Sequence, residues 1–591
     1  MSLNFKSNFR GLKGRKWVAS AALGAALLTG QSVYAIMDVT NQMHPGWSGT
    51  IIHPASFSAH ITGIDFVKNG DMIVSSCCVG PGDSEDGIYQ LGNVTGNDAN
   101  AVTVKKIASG FMHGMCHGIK VVNGDIYAVD AARVVKLVDA NGDGVYETLQ
   151  TICDFPWGDQ NFEYTFGMEY LNGKLYITTA VGVENSGWPA PQKMKDRGAM
   201  LEIDIATGTY TVVAGGLRAP NGIGIGPDNS IFVTDNQGGW LPSSKLIHVQ
   251  KGRHYGYMVE PADKANFQDQ PTSPPVVWMP HNDIGRSPTQ PIYVKKGLYA
   301  GQWLIGDMAE GGIKRVFMEK VAGEWQGVIM PFTGALEGCP NRIVMGPKGE
   351  LYVGMVGRVD IGWVRPDGKV GETGLQRLDP NGKVTFEILS VRSRAKGMEV
   401  EFTMPVNDAA AQASNWTIDR WTYEPTKAYG GPKTDVVNLT VSLVKVSPDK
   451  KSVYLEIPNL KKGYVTHIIT KPAIMSQDGG AQWFNETWYT LNSISPSEAF
   501  TSTTSISDQS SLRENSGILA LLNGQNSAGI SFRLLTNADA KVELIGIDGT
   551  VVSSRSVRGM GEQLLPTAGI SGLHILCVRQ GAHLQTWRVM L

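Results

Sequence analysis

The chain has little of three features that often define a function class: cysteine, long apolar runs and an excess of one charge. Its 591 residues include six cysteines, none with the two-residue spacing typical of zinc sites. The 52 basic and 54 acidic residues nearly cancel, which argues against nucleic acid as a partner because that partner demands a dense cationic face. After residue 35, no stretch of about 18 apolar residues occurs, so no transmembrane segment is predicted.

The N-terminus has the composition of a secretory signal peptide. A basic region is followed by an apolar run over 17–28 and by a small-residue cleavage site, Val33-Tyr34-Ala35. The basic residues are Lys6, Arg10, Lys13, Arg15 and Lys16. We therefore predict that residues 1–35 are a signal peptide and that the mature protein lies outside the cytoplasm.

Glycine and proline, by contrast, are abundant, with 70 and 29 residues. Many short strands joined by turns have this composition, and helical periodicity is almost absent. A segment that ends in a β-rich strand recurs about every 50–70 residues, with copies starting at residues 59, 115, 164, 218, 286 and 339. These copies predict an all-β fold, with a six-bladed β-propeller over 36–385, because blades bury their faces only by stacking.

The pattern changes after the propeller region. Alternating strands without the blade pattern predict an immunoglobulin-like β-sandwich over 386–492. A Ser/Thr-rich linker follows over 493–511, and residues 512–591 are predicted to form a small C-terminal β-sandwich.

Two stretches of the propeller region, GLRAPNGIGIGPDNSIFVTDNQGG (216–239) and KGRHYGY (251–257), resemble the soluble quinoprotein glucose and sorbosone dehydrogenases. The resemblance covers roughly residues 45–390 and includes GLQRL (374–378). It implies that the axial channel holds pyrroloquinoline quinone (PQQ) and calcium, oxidises a sugar or polyol and passes electrons to an external acceptor. On this match Arg218 contacts the quinone carboxylates, and Asn221 has a polar role nearby.

The chain departs from this family at the catalytic histidine. The matching position holds Tyr164, and a tyrosine is a far weaker base than a histidine near neutral pH because its pKa is about 10. His60 stands at the equivalent point of the first blade, and His117 lies one residue before the glycine of the second. We therefore take His117, His60 and Tyr164 as the candidate catalytic residues.

A quinone with several carboxylates requires guanidinium and ammonium groups. Four such residues lie at or near the ends of predicted inner strands: Arg218, Arg286, Lys314 and Arg342. The alternative is that these side chains pair with aspartates and close the channel structurally.

The best metal signal is DANGDGVYE (139–147), in which oxygen-bearing side chains alternate with small residues on a tight loop. The candidate calcium ligands are Asp139, Asn141, Asp143 and Glu147. Calcium here would be structural, because the loop joins outer strands. A solvated turn is the alternative. Adjacent Cys77 and Cys78 form a vicinal disulfide, remain two unpaired thiols or each bridge elsewhere.

The tail, about 512–591, contains IDGTVV (547–552) and SGLHILCVRQG (571–581). These segments resemble C-terminal sorting domains of type IX secretion. The resemblance implies contact with secretion machinery and a location in the medium or on the surface of a Gram-negative bacterium, reached through the periplasm.

Two alternatives to a sugar dehydrogenase remain open. A non-catalytic carbohydrate-binding or surface-binding propeller would use Trp157, Trp188 or Trp240 as stacking platforms. A calcium-dependent lactonase-like hydrolase would use Asn221 as a metal ligand, since RAPNG (218–222) also resembles gluconolactonase-like propellers.

Overall fold

The computed structural model describes residues 41–77, 86–160, 162–182, 194–258, 266–356 and 373–500, together with seven strand segments between 519 and 590. Apart from short 3-10 helices, the regular secondary structure of these residues is β-strand, which confirms the all-β prediction. Within them, no helix is long and apolar enough to cross a membrane. The short 3-10 helices are Ala99–Ala101, Met112–Gly114, Pro227–Asn229, Asp408–Ala411 and Ala413–Asn415. The predicted signal peptide lies outside the described residues.

Strands β1 to β24 build six antiparallel blades. The first strand, β1 (Trp47–Ile51), belongs to the last blade. Blade one contains β2 (Ile61–Phe66), β3 (Met72–Ser76), β4 (Gly87–Gly92) and β5 (Thr103–Ala108). Blade two contains β6 (Gly118–Val122), β7 (Asp125–Val129), β8 (Arg133–Val138) and β9 (Thr148–Asp154). Blade three contains β10 (Thr165–Leu171), β11 (Lys174–Thr179), β12 (Ala199–Asp204) and β13 (Thr209–Gly215).

The other three blades repeat this order. Blade four contains β14 (Gly222–Ile225), β15 (Ile231–Asp235), β16 (Ser244–Val249) and β17 (Val277–Met279). Blade five contains β18 (Pro288–Tyr293), β19 (Gln302–Asp307), β20 (Ile313–Val321) and β21 (Glu324–Thr333). Blade six contains β22 (Pro340–Met345), β23 (Leu351–Val356) and β24 (Thr373–Pro380), and β1 completes it by pairing with β24 from Trp47↔Pro380 to Ile51↔Gln376.

The six blades close into a ring around one axis. The first strands contact one another in the order β2, β6, β10, β14, β18, β22 and β2 again. A side-chain hydrogen bond to a backbone carbonyl also joins each pair of neighbouring blades. The donor–acceptor pairs are Thr62 to Cys116, Thr165 to Ala131, Thr178 to Pro220, Thr234 to Thr289, Thr289 to Pro340 and Asn341 to Ile61. The prediction of a six-bladed propeller is therefore confirmed.

The sandwich that follows shares a sheet with blade five. One of its sheets contains β25 (Ile388–Arg394), β26 (Gly397–Phe402), β30 (Ser452–Glu456) and β29 (Leu443–Val446). The other contains β27 (Trp416–Tyr423), β28 (Lys433–Leu439), β31 (Tyr464–Thr470) and β32 (Glu486–Leu491). Strand β32 pairs with β21, which produces one eight-stranded sheet. The sequence predicted the sandwich but not this continuity.

A buried polar network ties the two domains together. The carboxylate of Glu387 lies 3.2 Å from Nε2 of His44 and 3.1 Å from Nη2 of Arg315, and Tyr299 donates its hydroxyl to the same carboxylate. All four side chains are buried. Burial alone would raise the pKa of Glu387, but the Arg315 guanidinium and the bonds from His44 and Tyr299 outweigh it and lower that pKa. Glu387 is thus held as a carboxylate.

The C-terminal region forms two further antiparallel sheets. One contains β33 (Leu519–Asn526), β34 (Gly529–Leu534) and β37 (Gly561–Pro566). The other contains β36 (Val551–Val557), β35 (Ala540–Gly546), β38 (Leu573–Gln580) and β39 (His583–Met590). The predicted small β-sandwich is therefore present.

We predict that Glu387→Gln lowers the free energy of unfolding at pH 7 by about 3 kcal/mol, because it leaves the buried Arg315 charge uncompensated. Asp408→Asn is the control, since its exposed carboxylate, 3.0 Å from Lys450, contributes at most about 1 kcal/mol.

The effect of Glu387 should also depend on pH. A carboxylate with a lowered folded pKa stabilises the fold above its unfolded pKa of about 4.3 and loses that effect as the pH falls. Urea denaturation tests this. Equal effects of both variants, or a difference that grows on acidification, would contradict it.

Candidate active site at the upper end of the channel

The residues that precede the first strands of several blades meet at one end of the propeller axis, which we call the upper end. Four predicted site residues lie there: His60 before β2, His117 before β6, Tyr164 before β10 and Asn221 before β14. The register of β2, β10, β18 and β22 shifts near their starts. Such bulges redirect side chains and are common beside active sites.

Arg342 crosses the axis and joins four blades. Its Nε donates to the carbonyl of Thr62 at 2.7 Å, and its Nη2 donates to the carbonyl of His117 at 3.0 Å. Its Nη1 donates to Oδ1 of Asn221 at 3.0 Å and to the backbone carbonyl and Oδ1 of Asn341. The Asn221 amide in turn donates to Asn341 at 3.0 Å. Arg342 therefore holds the upper end of the channel in shape.

The charge of Arg342 has no acidic partner among the described residues. The side chain is buried, and burial lowers its pKa to about 9, so the guanidinium remains charged at neutral pH. Its partners on the protein are carbonyl and amide oxygens. A buried cation neutralised only by dipoles produces a positive potential, which favours an anion at this end of the channel.

His117 is a neutral base at the same place. Burial of the ring and the nearby Arg342 charge lower its pKa to about 3. Its Nε2 lies 3.3 Å from Sγ of Cys77, and its ring centroid lies 4.8 Å from that of Tyr164 and 5.4 Å from that of Phe166. The side chain remains partly exposed. These contacts orient the imidazole, and its lowered pKa leaves it unprotonated at neutral pH.

Tyr164 is held through its backbone by a buried arginine that the sequence did not indicate. Arg197 donates from Nη2 to the carbonyls of Glu163 and Tyr164 at 2.7 and 2.6 Å, and from Nη1 to the hydroxyl of Thr165 at 2.9 Å. Its Nε donates to the carbonyl of Ala180 at 2.9 Å. Arg197 thus fixes the start of β10, and through it the tyrosine beside His117.

His60 lies at the start of blade one and is partly buried. Its carbonyl accepts the N–H of Cys77 at 3.3 Å, so its backbone lies beside the residue whose thiol contacts His117. Cys78, the other half of the predicted vicinal pair, lies outside the described residues.

Arg218 sits on a turn that Asp235 stabilises. The Asp235 carboxylate accepts the backbone N–H groups of Arg218 at 3.1 Å and of Ala219 at 2.9 Å. The Arg218 side chain is 8% exposed, and its guanidinium carbon lies 5.5 Å from the centre of the Tyr429 ring. Tyr429 belongs to the sandwich, so a second domain contributes to this end of the propeller.

A turn stabilised by an aspartate also precedes the first strand of blade five. Asp307 accepts the N–H groups of Arg286 at 2.8 Å and of Ser287 at 3.1 Å. The Arg286 side chain is partly exposed and lies 3.9 Å from Glu310. Lys314, by contrast, is buried and donates its ammonium group to the carbonyl of Gly311. Of these two predicted cofactor contacts, Arg286 is the more available to a ligand.

Below Arg342 and Asn221 the channel widens into a cavity of about 380 Å³. Neighbouring first strands approach closely at their glycines, and a Cβ added at Gly118 would lie 1.8 Å from the carbonyl oxygen of Gly167. Only glycine fits where the inner strands approach this closely. Arg342 and Asn221 are among the residues that line this cavity.

The predicted calcium loop lies away from the channel, between β8 and β9 of blade two. Oxygens of Asp139, Asp143 and Glu147 lie within 4.8 Å of one another. Asp139 accepts the N–H groups of Gly142 at 2.7 Å and of Gly144 at 2.8 Å, and such bonds lower its pKa. The fourth predicted ligand, Asn141, donates its amide to Glu147 at 2.6 Å. The loop thus brings oxygen ligands together, and these oxygens accept hydrogen bonds from groups of the same loop.

No family model and no curated protein matches the chain. Similar solved structures include a putative oxidoreductase (glucose dehydrogenase) from Thermus thermophilus, at 16% identity and a TM-score of 0.42 over 56% of this chain and 100% of that one. A PQQ-bound aldose sugar dehydrogenase from Streptomyces coelicolor gives 15% and 0.39 over 57% and 99%. A family AA12 carbohydrate-active enzyme from Trichoderma reesei gives 14% and 0.41 over 59% and 100%. At such similarity, function must be inferred from this chain's own residues.

We predict that Arg342→Met lowers the free energy of unfolding by about 3 kcal/mol without any cofactor, because acceptors on blades one, two and four lose their donor. Arg286→Met is the control and should cost less than about 1 kcal/mol, since its carboxylate contact is long and partly exposed. Urea denaturation of both variants is the measurement. Equal stabilities would contradict the structural role of Arg342.

Proposed function

We propose that this protein is an exported quinone-dependent oxidoreductase that oxidises a sugar or polyol hydroxyl at the upper end of the propeller channel. The carrying observation is that a neutral imidazole, His117, lies beside a buried guanidinium, Arg342, that has no acidic partner among the described residues. A base and an uncompensated positive charge are what a hydroxyl donor and an anionic electron acceptor need.

The donor set fits PQQ, which is a flat anion with several carboxylates. Arg218 and Arg286 lie on turns before the first strands of blades four and five, and Arg342 adds a buried positive charge on the axis. Bidentate guanidinium–carboxylate pairing suits this chemistry. Arg218 and Arg286 would hold the cofactor, whereas Arg342 and Lys314 are committed to protein carbonyls and contribute charge. When bound, the quinone would supply the acceptor of the hydride.

His117 would remove the hydroxyl proton. Its imidazole is already deprotonated at neutral pH, and the contacts with Cys77 and Tyr164 fix the ring. The family's catalytic histidine is replaced by Tyr164 in this chain. His117 of the neighbouring blade would take over its role, because its ring lies 4.8 Å from that of Tyr164. Tyr164 would then position His117, and His60 would be a lesser candidate.

The two termini and the calcium loop would determine where the protein is located and which metal it binds. A signal peptide over residues 1–35 and a sorting role for the C-terminal β-sandwich would place the protein at the surface of a Gram-negative bacterium or in its medium. Calcium would bind Asp139, Asp143 and Glu147 and stabilise blade two without entering the reaction, since the loop joins outer strands. An external acceptor would reoxidise the quinone.

A lactonase-like metal centre is less compatible with the geometry. Asn221, the ligand it requires, is engaged by Arg342 and Asn341. Within the described residues, the cluster suited to a metal is the distant loop at Asp139. A guanidinium 3.0 Å from the amide oxygen would also repel a cation.

The test is titration of the mature protein with PQQ and calcium, followed by dye reduction with aldoses and polyols. We predict saturable binding that weakens at least tenfold in Arg218→Ala but not in the control Arg253→Ala, whose side chain pairs with Glu324.

His117→Asn should lower kcat by about 100-fold or more, and Tyr164→Phe should lower it by less than tenfold. Removing calcium with a chelator should lower the unfolding temperature, and Asp143→Asn should abolish that response.

Two outcomes would contradict the proposal. The first is no binding at high micromolar quinone. The second is full turnover in His117→Asn, which would transfer the role of base to another residue. Binding of sugars without quinone-dependent turnover would favour the non-catalytic carbohydrate-binding alternative.

A further inference from the structure

The hairpin loop between β27 and β28 of the sandwich, residues 424–432, rests on blade four. The N–H of Trp240 donates to the carbonyl of Thr426 at 2.6 Å, and the N–H of Gly430 donates to the carbonyl of Gly238 at 3.3 Å. At the end of the loop, Lys433 pairs with Asp283 of the propeller. The loop is therefore held by bonds at both of its ends.

These bonds present an aromatic ring beside the candidate site. Tyr429 is 58% exposed, whereas Arg218, which its ring approaches at 5.5 Å, is 8% exposed. The ring of His281 lies 6.1 Å away at 67°, on the side of blades four and five. The propeller thus fixes the position of Tyr429 while more than half of its surface remains open to solvent.

The backbone next to this contact is strained, which indicates that the surrounding contacts fix its conformation. Trp240 adopts a left-handed conformation with φ of 63°, which costs about 1–3 kcal/mol for a residue other than glycine and persists only where surrounding contacts fix it. The bond from its N–H to Thr426 is one such contact. Strained residues of this kind cluster at ligand sites.

The loop is not needed to hold the two domains together. The shared eight-stranded sheet and the buried network at Glu387 already do so. The outer face of Tyr429 is open to solvent. Such a face suits a sugar ring, because the apolar face of a pyranose stacks on an aromatic ring, and the contact with Arg218 holds the tyrosine in place.

We propose that Tyr429, supported by the loop 424–432 and by Arg218, forms a subsite for a second sugar ring at the same end of the propeller as His117. Arg218, which the Tyr429 ring contacts, precedes the first strand of blade four as His117 precedes that of blade two. The inference rests on the proposed function and makes it narrower. The substrate is then an oligosaccharide or the end of a polysaccharide, and a free monosaccharide lacks one of the two contacts.

The experiment measures binding first without quinone, by calorimetry on the full mature chain with cellotetraose, maltotetraose, xylotetraose and glucose. We expect one tetrasaccharide to bind, and Tyr429→Ala to weaken it about tenfold, the size of one aromatic stacking contact. Tyr429→Phe keeps the ring and should stay within twofold. Val436→Ala is the matched control, because Val436 is equally exposed on β28 of the same hairpin.

Dye-linked turnover with added quinone forms the second part. Tyr429→Ala should raise KM for the tetrasaccharide and leave kcat, and KM for glucose, unchanged. Tetrasaccharide binding that depends on Tyr429 but yields no turnover would support the subsite and reject the oxidation. Equal binding by wild type and Tyr429→Ala, or no binding of any tetrasaccharide in the set, would overturn the subsite whatever the turnover.

Discussion

The hydrogen bonds that Arg342 donates across the propeller axis are the constraint on which the candidate site depends. They fix the backbone of His117 and the amide of Asn221, and so connect the starts of blades one, two, four and six. A guanidinium suits this place because it donates in several directions from one plane. The same group gives the upper end a positive charge with no acidic partner among the described residues. Arg342 thus both stabilises the upper end of the channel and supplies its positive charge.

Much of the fold was predictable because it depends on local periodicity. Six copies of one segment predict six blades, and alternating strands predict the two later β-domains. Two features depend on contacts between distant residues and leave no such pattern. They are the pairing of β21 with β32 and the buried network that joins His44, Arg315 and Glu387. A single sequence carries no signal for pairings at separations of 72 to 343 residues.

The candidate site was predicted in part. Position at the start of a first strand correctly grouped His117, Tyr164 and Asn221, because the ends of these strands converge on the axis. It could not distinguish a charge that faces a ligand from one that is used by protein carbonyls, as with Arg342 and Lys314. Arg197 and Tyr429 were missed, since one acts through backbone carbonyls and the other arrives from a different domain.

In the proposed reaction His117, and not Tyr164, takes the proton. The pH dependence of kcat/KM for quinone-linked sugar oxidation tests it most directly. A base with a pKa of about 3 is unprotonated above that pH, so the rate should be flat between about pH 5 and 8. A rate that rises through pH 8 toward an ionisation near 10, the usual pKa of tyrosine, would contradict the claim.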